Sequence, residues 1–550
     1  MKIKKTLASA MIFASLLLPL SASPWWQNPT GSAYQILVYS FADSNGDGLG
    51  DLNGITARLD ALSALNVQAV WLSPINPAVS YHGYDVTDYT AVDSRLGTLA
   101  DFDALVTEAH KRGINILLDE VFNHSSAKHP WFQGFLNDAA GKYGAYYYRK
   151  DKTIEYGGTT MGTWNEVTNA SGGKVTYFSA FWDQMPDLNL TNPAVIDEQK
   201  AILKFWLAHG VDGFRFDAAR EVFNTGKAPK GSPTLAMTKA YWNGLRDYAR
   251  GIKSDVFFLG EVSTTSNQDI AAYAGGFDSL FDFPAAKQIT DLSVPAKDSL
   301  FAANYEKSLK LYKRTVGFVP APFLSNHDQD RSMTVNLVKM STSGVFGWGA
   351  DKADDLPTAK SKDASLARSK VEAAIYLTLP GLPFIYYGEE LGMTGRRYKN
   401  DDIARRDVYP WGMVKGKNYT ASWTKKTLML EEGQNSKTLS FAAQEADPSS
   451  LLQLYRKLSL LRKTHPALQG LNFTACSWTD ANKGSLISYF READGETLLV
   501  TVNPGTEAQS FETPDGKILL DIADGGLAPL VKDNLVTLNA GSFAVWKITE

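Results

Sequence analysis

Four acidic residues close short apolar runs of the chain. Asp119 stands in Asp119-Glu120-Val121-Phe122-Asn123-His124, and Asp217 in Gly213-Phe214-Arg215-Phe216-Asp217-Ala218. Glu261 ends Phe258-Leu259-Gly260-Glu261, and Asp328 follows in Ser325-Asn326-His327-Asp328. One carboxylate at a strand end is most simply a helix cap. Four of them, two beside histidines and one beside an arginine, suggest a shared site in which carboxylates do nucleophilic and general acid–base work. Arg215 lies two residues before Asp217, on the same face of a strand, and can hold that carboxylate ionised. A second signal is Asp43-Ser44-Asn45-Gly46-Asp47-Gly48-Leu49-Gly50-Asp51. Oxygens at alternate positions, glycine at the sixth and the Leu49 carbonyl match the first half of a calcium loop. Gly54 occupies the twelfth position, so the loop is not an EF-hand. A polar turn is the competing reading, and a structural Ca2+ on Asp43, Asn45, Asp47, Leu49 and Asp51 is the expectation.

The elements that must position these residues alternate along the chain. Candidate strands are 34–41, 67–74, 114–119, 211–217, 256–261, 277–281, 321–325 and 383–387. Helical patterns cover 98–112, 193–209, 234–252 and 366–379, with Pro193 suited to a first helical position and Gly113, Gly210 and Gly381 just past helix ends. Eight strands alternating with helices predict an α/β fold, a (β/α)8 TIM barrel. Each of the four acids then falls at the carboxyl end of a strand, where barrel active sites are built. Three connections are too long for plain loops: His124 to about Met185, Met333–Ala364 and Glu389–Pro448. The first reads as a small domain inserted over the barrel mouth. After a helix at 451–464 the pattern turns to short alternating strands (486–491, 498–502 and 543–548), predicting a C-terminal antiparallel β-domain. The expected division is a leader at 1–22, barrel at 23–123, insertion at 124–190, barrel at 191–464 and β-domain at 465–550.

Bulk properties bound the partners. The 550 residues carry a net charge of −4, which leaves no basic footprint for nucleic acid. Aromatics reach 12%, consistent with sugar-stacking platforms and equally with a large core. Lys2, Lys4 and Lys5 precede an apolar run from Leu7 to Leu20 and the small residues Ser21-Ala22-Ser23. This reads as a secretory signal peptide cleaved near Ala22, so the protein is expected to be exported, to a periplasm or beyond the cell. No second long apolar run follows, and no membrane attachment is expected after cleavage. Cys476 is the single cysteine, so no internal disulfide is expected.

Together these motifs, in this order and over nearly the whole mature chain, resemble those of the α-amylase family of glycoside hydrolases, glycoside hydrolase family 13. The resemblance implies a retaining mechanism with Asp217 as nucleophile and Glu261 as general acid/base, while Asp328 stabilises an oxocarbenium-like transition state. It places His124, His327 and neighbouring Asn326 at the sugar being cleaved. In Tyr81-His82-Gly83-Tyr84-Asp85, it implies that Tyr84 stacks beneath that sugar and Asp85 touches it. His82 is either an extra contact or part of the loop packing. Asp119 would brace the site through Arg215. Many relatives keep a calcium between barrel and insertion that involves Asn123, a point the sequence leaves open.

Met185-Pro186-Asp187-Leu188-Asn189 is similar to an intermediate group that contains α-amylases. Ala218, where α-1,6-specific relatives usually carry valine, favours α-1,4 bonds. Arg220-Glu221 departs from the Lys-His of many α-amylases. The resemblance therefore implies an endo-acting α-amylase, expected to work as a monomer on starch-like α-glucans. An exo-acting α-glucosidase or transglycosylase is the alternative, and a non-catalytic glucan-binding relative a remote one. Phe346-Gly347-Trp348 either offers a platform at the cleft rim or packs on its own loop.

Overall fold

A computed structural model describes residues 23–159, 161–292, 300–339, 359–397, 401–414, 416–424, 439–476, 486–512, 517–522, 528–532 and 535–549. The leader and Phe346–Trp348 lie outside the described residues. Eight parallel strands form the barrel: β1 Ser32–Ile36, β2 Val67–Leu72, β3 Asn115–Glu120, β6 Gly213–Phe216, β7 Phe257–Gly260, β8 Ser279–Phe281, β9 Val319–Ala321 and β10 Phe384–Tyr386. Between β3 and β6, an antiparallel hairpin (β4 Thr163–Thr168, β5 Lys174–Ser179) belongs to the insertion. Continuous ladders run from β10 through β1 to β9. The last gap, between β9 and β10, is bridged one way: Leu382 and Phe384 donate their amides to the Pro320 and Pro322 carbonyls. Proline has no N–H to return, so no full ladder forms there.

Alternation along the strands sorts side chains into two cores. Ala33, Ala69, Trp71, Leu117, Phe257, Leu259, Phe281, Val319, Ala321 and Phe384 fill the barrel interior. Their neighbours Tyr34, Ile36, Val70, Leu118, Phe214, Phe216, Phe258, Leu280 and Ile385 pack outward under the helices. The period of two carries this parity past the strand ends. Asp119 follows Leu117, and Glu261 follows Leu259, so both carboxylates point into the barrel mouth. Glu120 has the opposite parity and is buried on the outer side, with neither carboxylate oxygen partnered. Burial holds its carboxyl well above the usual range.

Two predicted strands are corrected. The run 34–41 leaves the sheet at Ile36 and makes a helical turn at Val38–Phe41. A continuous apolar stretch does not distinguish strand from buried helix by period. The strand predicted at 321–325 is instead Val319–Ala321, because Pro322 cannot donate to a continuing ladder. The helix Pro193–Ala208 begins as expected, with the Asn192 side chain accepting the Ala194 amide. Helix Ala359–Thr378 starts seven residues before the predicted Leu366.

The C-terminal region holds a five-stranded antiparallel sheet, in the order 473–475, 487–493, 496–503, 542–549 and 517–522. A separate three-stranded sheet lies alongside it in sequence. Asp494 and Gly495 both have positive φ and form the two-residue hairpin between Ala493 and Glu496.

Candidate active site

Arg215 is the hub. Its fully buried guanidinium donates from Nη1 to Asp119 Oδ1 at 2.7 Å and Asp217 Oδ1 at 2.9 Å, and from Nη2 to Glu261 Oε2 at 2.7 Å. It lies 5.0 Å from the Trp71 ring centroid and 5.7 Å from that of Tyr84. Burial raises the carboxyls of Asp217 and Glu261, and Arg215 opposes the shift in both. Asp119 is pushed up to about 7 by burial, against the same guanidinium. Asp119 is further anchored at Oδ2 by Trp71 Nε1 and by the Tyr84 hydroxyl.

Ala218, next to Asp217, adopts a left-handed conformation (φ 47°), and its amide donates to Glu261 Oε2 at 3.2 Å. That conformation costs a residue other than glycine roughly 1–2 kcal/mol. The turn thus directs a backbone donor onto the second carboxyl.

Asp328 lies across the mouth, its side chain 47% exposed to the cleft. His327 Nε2 stands 3.0 Å from its Oδ2, and Arg406 Nη2 donates to its Oδ1 at 2.8 Å. The Gln35 amide donates to His327 Nδ1 at 2.8 Å. The ring hydrogen therefore sits on Nε2, facing Asp328 and the Tyr84 hydroxyl at 2.7 Å. Burial lowers His327, keeping it neutral. Asn326 is buried beside Asp328, and its Oδ1 accepts the Asp328 amide and shapes the turn.

Tyr84 is sandwiched, stacked on His327 at 5.3 Å and on His82 at 6.0 Å. His82 Nδ1 accepts the Tyr84 amide, and burial lowers its ring to about 4. Asp85 is buried with its carboxylate on the Ser80 amide and hydroxyl, so in this conformation it closes a loop. His124 is buried, its Nε2 3.1 Å from the Tyr84 carbonyl and its ring 5.4 Å from Phe181.

Behind this layer, buried Lys227 bonds Asn123 Oδ1 at 2.9 Å and Asp187 Oδ2 at 2.5 Å. The Asn123 position between barrel and insertion is thus filled by a protein ammonium. The Leu188 amide donates to the Asn123 carbonyl, so the Met185–Asn189 segment pins the insertion to the end of β3.

Several residues of this site escape sequence reasoning. Gln35 and Trp71 read as ordinary strand residues, and Arg406 joins Asp328 from 78 positions further along the chain. Phe181 and Trp182 of the insertion are 44% and 50% exposed, and Phe181 stands beside His124. Adjacent large aromatics before Met185 were the available signal. A groove of about 510 Å3 opens beside the segment after Asp217, lined by Thr159, Met161, Arg220, Glu221, Thr238 and Tyr273 among others.

The calcium-type loop is held by its own hydrogen bonds. Asp43 accepts the Asn45, Gly46 and Gly48 amides, Asn45 that of Asp47, and Asp47 that of Leu49. Asp51 instead caps the helix Leu52–Ala64 and binds Ser44. Among the described residues no group of three or more His, Cys, Asp or Glu is arranged to hold a metal. A cation here would rely on Asp43, Asn45, Asp47 and the Leu49 carbonyl, whose oxygens retain lone pairs beyond the amides they accept.

A parallel barrel with clustered acids, a shared arginine and neutral imidazoles at one mouth defines a (β/α)8 glycoside hydrolase. A model of the α-amylase catalytic domain matches residues 35–470. The chain belongs to the α-amylase family, glycoside hydrolase family 13. It is 34% identical to Alpha-amylase 3 of Dictyoglomus thermophilum, over 91% of this chain and 90% of that one. It is 31% identical to trehalose-6-phosphate hydrolase of Escherichia coli, over 89% and 92%. The crystal structure of an α-amylase from H. orenii superposes with a TM-score of 0.76 at 31% identity, covering 94% of this chain and 99% of that one.

Proposed function

We propose that this hydrolase is an endo-acting α-amylase that cleaves internal α-1,4-glucosidic bonds with retention. The observation that carries the mechanism is the bridging of Asp217 and Glu261 by one guanidinium. Asp217 and Glu261 sit on the two terminal nitrogens of Arg215 and within hydrogen-bonding reach of each other, which supports the short carboxyl separation of a retaining enzyme. Asp217 attacks the anomeric carbon, and Glu261, raised by burial, supplies a proton to the leaving oxygen. Water then enters with Glu261 as base, releasing the sugar and restoring Asp217. Asp328, held ionised, stabilises positive charge on the ring and accepts its hydroxyls, with His327 and His124 as neutral partners.

Endo action is supported by the groove beyond Asp217, which leaves room for chain on the leaving-group side. The similarity to a trehalose-6-phosphate hydrolase, 31% identical over 89% of this chain, supports the second reading, an exo-acting α-glucosidase or transglycosylase. Product analysis on soluble starch separates them. Long oligosaccharides at early times are expected, and glucose alone from the start would overturn endo action.

The leader reading goes with this proposal: the enzyme is exported and meets its glucan outside the cytoplasm. Mass analysis of the secreted or periplasmic protein should find a chain starting near Ser23, and an intact Met1 would refute export by this route. Structural calcium at the Asp43 loop completes the proposal. Added Ca2+ should raise Tm in the wild type and leave Asp43→Ala unmoved, whereas no shift in either would remove the metal.

A further inference from the structure

On the barrel flank, outside the mouth, a second groove of about 450 Å3 runs between the loop after β2, the start of the insertion helix Pro130–Asn137 and the helix Pro193–Ala208. That volume lies in the range of small-ligand sites, about 300–1,000 Å3. Its walls pair half-buried Trp131 and Phe205 with the carboxylates of Asp88 and Glu198. Each carboxylate is oriented through one oxygen. Asp88 Oδ1 accepts from Thr90, and Glu198 Oε1 accepts from Lys142 and Tyr146. Their second oxygens are left for other donors.

His129 supplies a complementary donor. It is 96% buried by its 4% exposure, and its Nδ1 accepts the Trp131 amide at 3.1 Å. The neutral ring then carries its hydrogen on Nε2, on a side chain that lines the groove. Apolar ring surface flanked by fixed acceptors and one buried donor suits a pyranose, whose faces are C–H and whose edges are hydroxyls. Two carboxylates disfavour an anionic ligand.

Tyr89 connects the groove to the active site. Its ring stacks on Trp131 at 5.7 Å, while its hydroxyl donates to the carbonyls of Val121 and His124. One side chain thus separates the groove from the wall of the catalytic pocket.

We propose that this groove is a second, non-catalytic binding site for a segment of α-glucan, holding polymer beside the mouth while another stretch is cleaved. The proposal rests on the α-glucan reading of the active site. Trp131 itself packs on Tyr89 and Tyr146, so its removal risks the fold. Ala201→Arg is the better variant: an exposed helical position lining the groove receives a side chain that fills it and neutralises its acids.

Titration of full-length Asp217→Asn protein with maltoheptaose should show two binding events, and Asp217→Asn/Ala201→Arg should show one. In the active background, Ala201→Arg should leave hydrolysis of a chromogenic maltotrioside unchanged and slow that of amylose by roughly threefold or more, through loss of effective concentration. A single binding event in both proteins, or equal amylose rates, would overturn the second site. Failure of the wild type to hydrolyse any α-glucan would instead remove the functional reading, while the titration still reports on the groove.

Discussion

At Asp328, partial burial pushes the carboxyl up, while His327 and the Arg406 guanidinium pull it down and prevail. Removing the cation reverses part of that balance. In Arg406→Ala, Asp328 takes up its proton at a higher pH, so its protonation should join that of Asp217 and steepen the acidic limb of kcat/KM against pH. The alkaline limb, set by deprotonation of Glu261, should stay in place; a profile that only loses height would contradict the pairing. Ala218 gives a second test. A β-branched residue is strained at φ near +47°, and α-1,6-specific relatives usually carry valine here, so Ala218→Val should load the turn that aims its amide at Glu261 and disfavour α-1,4 bonds. We expect kcat on α-1,4 substrates to fall by about tenfold, the equivalent of a 1.4 kcal/mol loss, with KM little changed. An unchanged kcat would show that the turn conformation is immaterial. Asp119, Asp217 and Glu261 are legible in the sequence because each closes an apolar run whose parity extends to the next inward position, while Asp328, beyond its strand, is legible through its motif Ser325-Asn326-His327-Asp328. Arg406, Gln35 and Trp71 are not, since their partners lie far away in the chain and only barrel closure brings them together.

Among the elements, the insertion depends on a buried charge. Lys227 and Asp187 are fully enclosed, and burial lowers the lysine while Asp187 opposes it. Truncating one partner leaves the other charge unpaired in a dry site, which costs about 3–5 kcal/mol. Lys227→Ala should therefore lower the apparent Tm and expose residues 124–190 to early proteolysis, before the barrel is cut. Simultaneous loss of insertion and barrel, or no loss, would contradict the pinning role. Element order was readable from the alternation of apolar runs and amphipathic segments, and the helix Leu451–Thr464 matches its predicted bounds. Strand ends were less readable where prolines or unbroken apolar runs hide the period, as at Pro322 and Ile36. Lys227 itself carries no local sign of its role, because a lysine among glycine and alanine reads as exposed loop.

Across the whole molecule, two buried arginines gather carbonyls where the barrel meets the C-terminal region, Arg462 from the last barrel helix and Arg491 from the antiparallel sheet. Arg462 donates to the carbonyls of Leu377, Leu379 and Gly381, and Arg491 to those of Thr378, Leu468 and Gly470. They satisfy the last carbonyls of the helix Ala359–Thr378 and meet the negative end of its dipole. Arg491→Ala should cost about 2–4 kcal/mol, since several buried acceptors lose a charged donor, and calorimetry should show the Tm fall while KM on short substrates is kept. The account as a whole turns on Asp217. The most direct measurement is mass spectrometry of the enzyme trapped with a 5-fluoroglycosyl fluoride extended by α-1,4-linked glucose. The account predicts that the protein gains one glycosyl group and that peptide mapping places it on Asp217. An adduct on Glu261 or Asp328, or turnover that releases the β-anomer first without an adduct, would contradict it.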